Sequence, residues 1–130
     1  MFINQISVFI ENKTGRLAEI TELLGEANVD LRAVSIGDTT DFGILRMIVD
    51  DPEKAEKALR SKGLAMNVTQ VIGLEVDDVP GGFAKAVRLL SDNGISVEYM
   101  YAFNTGPAGK ASIIIRVSDN AAAAEVLRGY

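Results

Sequence analysis

Apolar and polar residues alternate at the start of the chain and then change to a helical spacing. The alternation over Gln5–Ile10 predicts a β-strand with one apolar face. A turn-forming cluster follows, and apolar residues then recur at helical spacing over Leu17–Ala27, which predicts an amphipathic helix. Thr14 is the expected N-cap of this helix, and Asn28 is the residue at which it ends.

Two further strands, a second helix and a closing strand complete the pattern of the first half. Asp51-Pro52 predicts a helix start, because an acidic N-cap and a proline at the first helical position suit the open end of a helix. The two further strands are Leu31–Ile36 and Ile44–Val49, joined by the loop Gly37–Gly43. The closing strand is Met66–Val71. The order β-α-β-β-α-β is the split βαβ arrangement of ferredoxin-like folds.

The second half of the chain repeats the first in the same register. Gly15 and Gly81 lie 66 positions apart (81 − 15), and the apolar positions around them agree at that offset. Gly94, the counterpart of Asn28, suits the left-handed position that follows a helix. The elements predicted for the second copy are Ile72–Asp77, Gly82–Asn93, Val97–Phe103, Ser112–Val117 and a helix Asp119–Leu127 with Asp119 as N-cap.

The repeat predicts an α+β protein of two tandem ferredoxin-like βαββαβ units, residues 1–71 and 72–130, with antiparallel sheets and helices on one face. The sequence ends where the last strand of the second unit is expected. Either the parent protein continues further, or a neighbouring segment fills that edge of the sheet. Met66–Asp78 offers one route, since it is long enough to serve first as a closing strand and then as an opening strand.

The strands carry apolar residues on both faces, although the helices cover only one. Val8 faces one side of the first strand and Phe9 the other. Apolar surface of this kind is normally buried against a partner, so we expect the copies to pack together and the chain to form a homodimer. Val97–Phe103 carries aromatic residues at a period of two, including Tyr99 and Tyr101, which predicts one shared face.

Composition and charge exclude several classes of function. The net charge is −5 and the Lys and Arg residues are scattered, so no basic surface for nucleic acid is expected. No apolar run approaches the length of a membrane span, and we expect a cytoplasmic protein. The absence of His and Cys removes the usual general base, the common nucleophile pairs and most zinc sites, so neither a metal nor a cofactor is expected.

Two loops carry a resemblance to a known family. Each follows the opening strand of its copy and leads into a helix; they read Asn12-Lys13-Thr14-Gly15-Arg16-Leu17 and Asp78-Val79-Pro80-Gly81-Gly82-Phe83. An Asp or Asn, two residues, often a Pro, a Gly and an apolar residue resembles the corresponding loop of ACT domains. The resemblance covers the whole chain as two tandem copies. It implies a non-catalytic regulatory protein that binds an amino acid at an interface between ACT domains and regulates a metabolic enzyme.

The chemistry of these loops suits an amino acid. Free N–H groups at a helix start attract a carboxylate, and a glycine lets a ligand approach the backbone. Asn12 or Asp78 can bind the α-ammonium group, and the family often has another polar contact at the position of Asp30, or of Ser96 in the second copy. The candidate ligand-binding residues are therefore Asn12, Lys13, Thr14, Gly15, Arg16, Leu17, Asp30, Leu31, Asp78, Pro80, Gly81, Gly82 and Ser96.

Copy one is expected to hold the more open site. Its second strand has the small residues Ala33 and Ser35 where copy two has Tyr99 and Tyr101, which can fill the space of a ligand. Two other interpretations compete with amino-acid sensing. One is a ligand-free regulatory subunit that dimerises and docks on a metabolic enzyme. The other is a small hydrolase of the acylphosphatase type, which shares only the topology.

Overall fold

The computed structural model describes residues 1–11, 13–38, 42–103 and 107–130, and its elements follow the order expected of two copies. The strands and helices are β1 (Phe2–Glu11), α1 (Arg16–Glu26), β2 (Leu31–Asp38), β3 (Phe42–Val49), α2 (Pro52–Ser61), β4 (Met66–Asp77), α3 (Gly82–Asp92), β5 (Val97–Phe103), β6 (Lys110–Val117) and α4 (Asn120–Leu127). The antiparallel sheets and the repeated order confirm the predicted α+β fold of ferredoxin-like units.

The N-terminal compact unit comprises Asn4–Thr69. Its strands are ordered β2-β3-β1-β4, and β3 pairs antiparallel with both β1 and β2. Alternate strand residues point toward the two helices, as the period of two predicts. The fully buried residues of this core are Ile6, Val8, Leu24, Leu45, Met47, Ala55 and Leu59.

The C-terminal compact unit comprises Gln70–Tyr130 together with Met1–Ile3. Its strands are ordered β1-β4-β6-β5. The Gly73 N–H donates a 2.7 Å hydrogen bond to the Met1 carbonyl, and a Cβ at Gly73 would overlap the Ile3 side chain. The first residues of β1 therefore lie at the edge where the repeat lacks its own closing strand, so a neighbouring segment fills that edge.

β4 is one continuous strand of 12 residues, Met66–Asp77. It joins the predicted closing strand of copy one and the predicted opening strand of copy two. Met66–Asp77 thus serves as a closing strand and an opening strand in succession, as predicted, but it does not itself fill the open edge of the second unit, where the first residues of β1 lie. β2 and β3 also extend further than predicted, to Asp38 and from Phe42, into the segment expected to be a loop.

The helix ends agree with most of the capping predictions. Asp51 and Asp119 are confirmed as N-caps, since their side chains accept hydrogen bonds from the N–H groups of Lys54 (3.2 Å) and Ala122 (3.0 Å). The positions after α1 and α3 are left-handed as predicted, with φ of 60° at Asn28 and 72° at Gly94. The predicted Thr14 cap is wrong, because a glycine occupies the N-cap position of α1.

The aromatic face predicted on β5 is only partly correct. A β-bulge lies between Val97 and Tyr99, so the strict alternation is broken there. Val97 and Met100 pack against the core beneath the helices, whereas Tyr99 and Tyr101 do not belong to that core. Val97 therefore does not share a face with the two tyrosines.

Candidate functional site

The loop between β1 and α1 turns on a left-handed glycine. Gly15 is the N-cap of α1 with φ of 92°, and no side chain caps the helix there. Thr14 is not needed as a cap because the turn is made by a backbone conformation that glycine adopts at little cost. Apart from the two chain neighbours of Gly15, no described residue has an atom within 4 Å of the position where a Cβ at Gly15 would stand, so this part of the loop surface is open. Asn12 lies outside the described residues.

The first turn of α1 presents unpaired backbone donors. The Arg16 N–H donates to the Lys13 carbonyl at 3.2 Å, and the Glu19 N–H donates to the Gly15 carbonyl at 3.0 Å. Within the described part of the chain, the N–H groups of Leu17 and Ala18 have no acceptor. Unpaired N–H groups at a helix start carry partial positive charge and bind carboxylates.

The charged side chains of this loop are held by short ion pairs. Lys13 lies 2.8 Å from the Glu11 carboxylate, and Arg16 lies 3.3 Å from that of Glu19. The hydrogen bond from Lys13, and then its charge, lower the pKa of the Glu11 carboxyl. Both pairs are exposed, so an incoming ligand can exchange partners with them at small cost.

A cleft of about 590 Å³ runs beside α1 in the same unit. Ile20, Leu23 and Leu64 contribute apolar walls, and Arg16 lines the cleft near the β1–α1 loop. Four carboxylates and two cations border it, so its rim is acidic on balance. The charged lining residues are Glu11, Arg16, Glu19, Glu22, Glu26 and Lys62.

Asp30 and Leu31 lie at the other end of the N-terminal unit from the loop. Glu11 pairs with Phe42 at one end of β3, whereas Leu31 pairs with Val49 at the other. A strand of this length separates the two ends by about 24 Å. A single amino acid therefore cannot touch the loop and Asp30 of the same unit.

The Asp30 side chain has partners of its own. Its carboxylate lies 3.2 Å from the Arg32 guanidinium, and its N–H donates to the Asp50 carboxylate at 2.9 Å. The Asp50 N–H in turn donates to the Asp30 carbonyl at 3.1 Å. These bonds tie the start of β2 to the end of β3, which gives Asp30 a structural role irrespective of any ligand.

The corresponding loop of the C-terminal unit has the same backbone. Gly81 is the N-cap of α3 with φ of 83°. Gly82, the first helical residue, is buried, and a Cβ there would overlap the Asp77 carbonyl. Pro80 is exposed, and the Asp78 N–H donates to the Gly109 carbonyl at 2.9 Å. This loop is thus tied to the neighbouring hairpin.

Ser96 lies far from that loop, as Asp30 does in the first copy. It precedes β5, whose first residue pairs with Val117, while Asp77 pairs with Lys110 at the opposite end of β6. The strand again separates the two ends by about 24 Å. The candidate residues of each copy therefore form two separate groups within their own unit.

Tyr130 contacts the first turn of α3 in the C-terminal unit. Its hydroxyl donates a 2.8 Å hydrogen bond to the Gly82 carbonyl. The buried Leu59 and Leu127 are equivalent in the two copies, and three residues further on stand Lys62 and Tyr130. Lys62 lines the open cleft of the first copy. Neither residue is predicted as a site residue from the sequence, although the alignment of the two leucines places Lys62 and Tyr130 at equivalent positions.

Two further observations limit the chemistry of the described residues. Among them, no group of three or more Asp, Glu, His or Cys side chains is arranged to hold a metal ion. No helix in the described ranges is both long enough and apolar enough to cross a membrane.

Comparison with solved structures finds close and distant relatives. Protein BT0572 from Bacteroides thetaiotaomicron is 45% identical, with a TM-score of 0.92 over 98% of this chain and 88% of that chain. The ligand-free regulatory subunit of aspartate kinase from Thermus thermophilus has a TM-score of 0.66 at 16% identity, over 96% of this chain and 90% of that chain. The second likeness concerns the fold. Comparison with the curated proteins gives no match.

The family comparison agrees with the geometry of the two loops. The model of the ACT domain pair matches residues 1–128, nearly the whole chain. The repeated antiparallel unit, with a glycine at the mouth of the first helix of each copy, is what the resemblance in the two loops led us to expect. This chain belongs to the ACT domain pair family.

Proposed function

We propose that the protein is a non-catalytic regulator that binds an amino acid at the β1–α1 loop of its N-terminal ACT unit. The observation that supports this proposal is the open cleft beside a helix start with unpaired N–H groups. In the second copy, by contrast, Tyr130 contacts the equivalent helix start. The asymmetry favours one site per chain, in copy one.

The proposed site suits both charged groups of a zwitterion. The ligand carboxylate would accept hydrogen bonds from the N–H groups of Leu17 and Ala18, with Arg16 beside them. The ammonium group would meet the acidic rim of the cleft. From the sequence alone, Asn12 is a further candidate to bind the ammonium group. Asp30 would reach such a ligand only from a second copy of the chain, which is how a site at a domain interface would use it.

Titration with each common amino acid, followed by calorimetry and thermal unfolding, tests the proposal. A ligand at about 100 times its Kd raises the free energy of unfolding by about 2.7 kcal/mol, because only the folded chain binds it. We expect one amino acid, or one small group of them, to do so. If none binds, the ligand part of the proposal fails.

Matched variants locate the site. Asn12→Ala combined with Arg16→Ala is expected to weaken binding by about tenfold or more, because charged hydrogen bonds to the ligand are lost. Asp78→Ala in the second copy is the control and should leave the affinity unchanged. The reverse result would assign the ligand to copy two. An equal loss in both variants would indicate a site that needs both loops.

The ligand-free regulatory subunit is the second candidate, and exposed apolar residues of β2 favour it. Val34 and Ile36 lie on the helix-side face of this edge strand and remain about half exposed, at 51% and 49%. Apolar side chains in a row at a sheet edge are suited to a protein partner. Negative amino-acid titrations, together with a change in the activity of a purified amino-acid-pathway enzyme on mixing, would support this alternative.

A further inference from the structure

α1 and α3 are equivalent helices whose exposed sides carry opposite charge. At the offset of 66 residues, the positions of Glu19 and Glu22 on α1 correspond to Lys85 and Arg88 on α3. All four side chains belong to residues that are exposed or half-buried. Duplication has kept the buried sides of the two helices alike, while the exposed sides have become complementary.

Several charges on the exposed sides of α1 and α3 have no strong partner among the described residues. Glu22, Glu26 and Lys85 make no ion pair among the described residues. Arg88 has only a long contact of 3.6 Å with Asp92, and both side chains are largely exposed. Charges of this kind can engage an opposite surface without first giving up a strong bond.

Small residues lie beside the charges on both helices. Ala18 and Gly25 are exposed on α1, and Ala84 and Ser91 occupy the same positions on α3. Small side chains let two helix axes approach closely, because the distance between axes depends on the residues at the contact. A shallow depression of about 480 Å³ on α3 is bordered by Ala84, Lys85, Val87, Arg88 and Ser91.

The order of charges along the helices selects one orientation. When α1 and α3 run antiparallel, Arg16 at the start of α1 meets Asp92 at the end of α3. Glu19 then lies near Arg88, and Glu22 lies near Lys85. A parallel arrangement would also bring Glu19 near Lys85 and Glu22 near Arg88, but it would leave Arg16 opposite Gly82 and place Glu26 beside Asp92, where like charges repel. The helix dipoles also favour the antiparallel arrangement.

We propose that α1 of one chain docks antiparallel on α3 of a second copy of the same chain. The second copy is the partner because one sequence carries both halves of the complementary surface. In a pair with two-fold symmetry the contact would therefore be made twice. This interface goes beyond amino-acid binding and does not depend on it, and it differs from association through the sheets.

Sedimentation velocity of the full chain over a range of concentrations and salt tests the interface. We expect a concentration-dependent dimer whose Kd rises about tenfold or more between low salt and about 0.5 M NaCl, since exposed charges are screened. A chain that stays monomeric at low salt and millimolar concentration would overturn the proposal. So would a dimer that is indifferent to salt.

Charge-reversal variants are the decisive test. Glu19→Lys with Glu22→Lys makes both helices basic, and Lys85→Glu with Arg88→Glu makes both acidic. Each variant alone should self-associate about tenfold more weakly than the natural chain, and an equimolar mixture of the two should restore the dimer. Glu53→Lys with Glu125→Lys, on α2 and α4, is the control with the same change in net charge as the first variant.

The mixture distinguishes a lost contact between the helices from a loss of folding. Misfolding would be visible by circular dichroism and could not be repaired by mixing two misfolded chains. If the variants dimerise like the natural chain, or the mixture stays monomeric, α1 and α3 do not form the interface. Amino-acid binding is measured on Lys85→Glu with Arg88→Glu, which leaves the lining of the cleft beside α1 unchanged, and it therefore reports on the ligand proposal separately.

Discussion

The two helix starts have nearly the same backbone but different surroundings. Gly15 and Gly81 both cap their helices with a positive φ, of 92° and 83°. Beside the first lies an open cleft with an acidic rim, whereas Tyr130 donates a hydrogen bond to the helix start beside the second. Duplication has thus preserved the backbone of the candidate ligand site while the side chains around it diverged.

The largest loss in the free energy of unfolding is expected for substitutions at core residues that are the same in both copies. Leu24 and Leu90 are equivalent core residues of α1 and α3, and both are fully buried. Leu24→Ala and Leu90→Ala should each lower the free energy of unfolding by about 3 kcal/mol, because each leaves a cavity. Urea denaturation measures both losses. A difference of more than about 2 kcal/mol between them would mean that the two cores are not equivalent in packing.

The second prediction concerns the first helical residue of α1 and of α3, where the two copies differ. Gly82→Ala should cost about 2 kcal/mol, because its Cβ would overlap the Asp77 carbonyl and the backbone would have to shift. Arg16→Ala at the equivalent position should cost about 0.5 kcal/mol or less, since it removes only an exposed ion pair with Glu19. Urea denaturation again provides the measurement. Equal losses would contradict the close approach at Gly82.

The features of the fold that could be predicted from the sequence are those determined by residues close together in the chain. Asp51 and Asp119 act on N–H groups three residues away, so the local pattern is enough to predict their capping roles. The hydrogen bond between Gly73 and Met1 joins residues that are 72 positions apart (73 − 1), so no local pattern in the sequence predicts it. The sequence therefore leaves two alternatives for that edge and does not identify Met1–Ile3 as the segment that fills it.

The candidate site likewise has features that the local sequence predicts and others that depend on residues far apart in the chain. The loop glycines are predictable because a turn before an amphipathic helix is a local feature. The resemblance to ACT domains suggests a ligand contact at Asp30, but β3 separates the end of the sheet at Asp30 from the end at the loop by about 24 Å. The position of Tyr130 could have been expected from its register with Lys62, although not its hydrogen bond to Gly82.

The third prediction concerns the contact that distinguishes the second helix start. Tyr130→Phe removes the hydroxyl that donates to the Gly82 carbonyl and should lower the free energy of unfolding by about 0.5 kcal/mol, since the bond is only partly buried. Lys62→Ala, at the equivalent position of copy one, should leave it nearly unchanged. Thermal unfolding of both variants measures the difference. A larger loss for Lys62→Ala than for Tyr130→Phe would contradict the conclusion that this stabilising contact with the helix start belongs to copy two.

The smallest effect concerns the acids at the ends of the opening strands. The hydrogen bond from Lys110, and then its charge, lower the pKa of the Asp77 carboxyl below 3.8. The same hydrogen bond raises the pKa of Lys110 above 10.5. A lowered carboxyl pKa stabilises the fold above pH 3.8, and that contribution is lost as the pH falls through the folded value. The raised lysine pKa contributes below pH 10.5 and is lost as the pH rises through its folded value.

Asp77→Asn should therefore flatten both the acidic and the alkaline limb of the stability profile, because it removes the partner of Lys110. Glu11 differs in that its lowered pKa comes from Lys13, two residues away in the same loop. Glu11→Gln should flatten the acidic limb, below the ordinary carboxyl pKa of 4.5. Urea denaturation between about pH 2 and about pH 12 measures both variants against the natural chain. An unchanged alkaline limb in Asp77→Asn would show that the bond to Lys110 does not persist in solution.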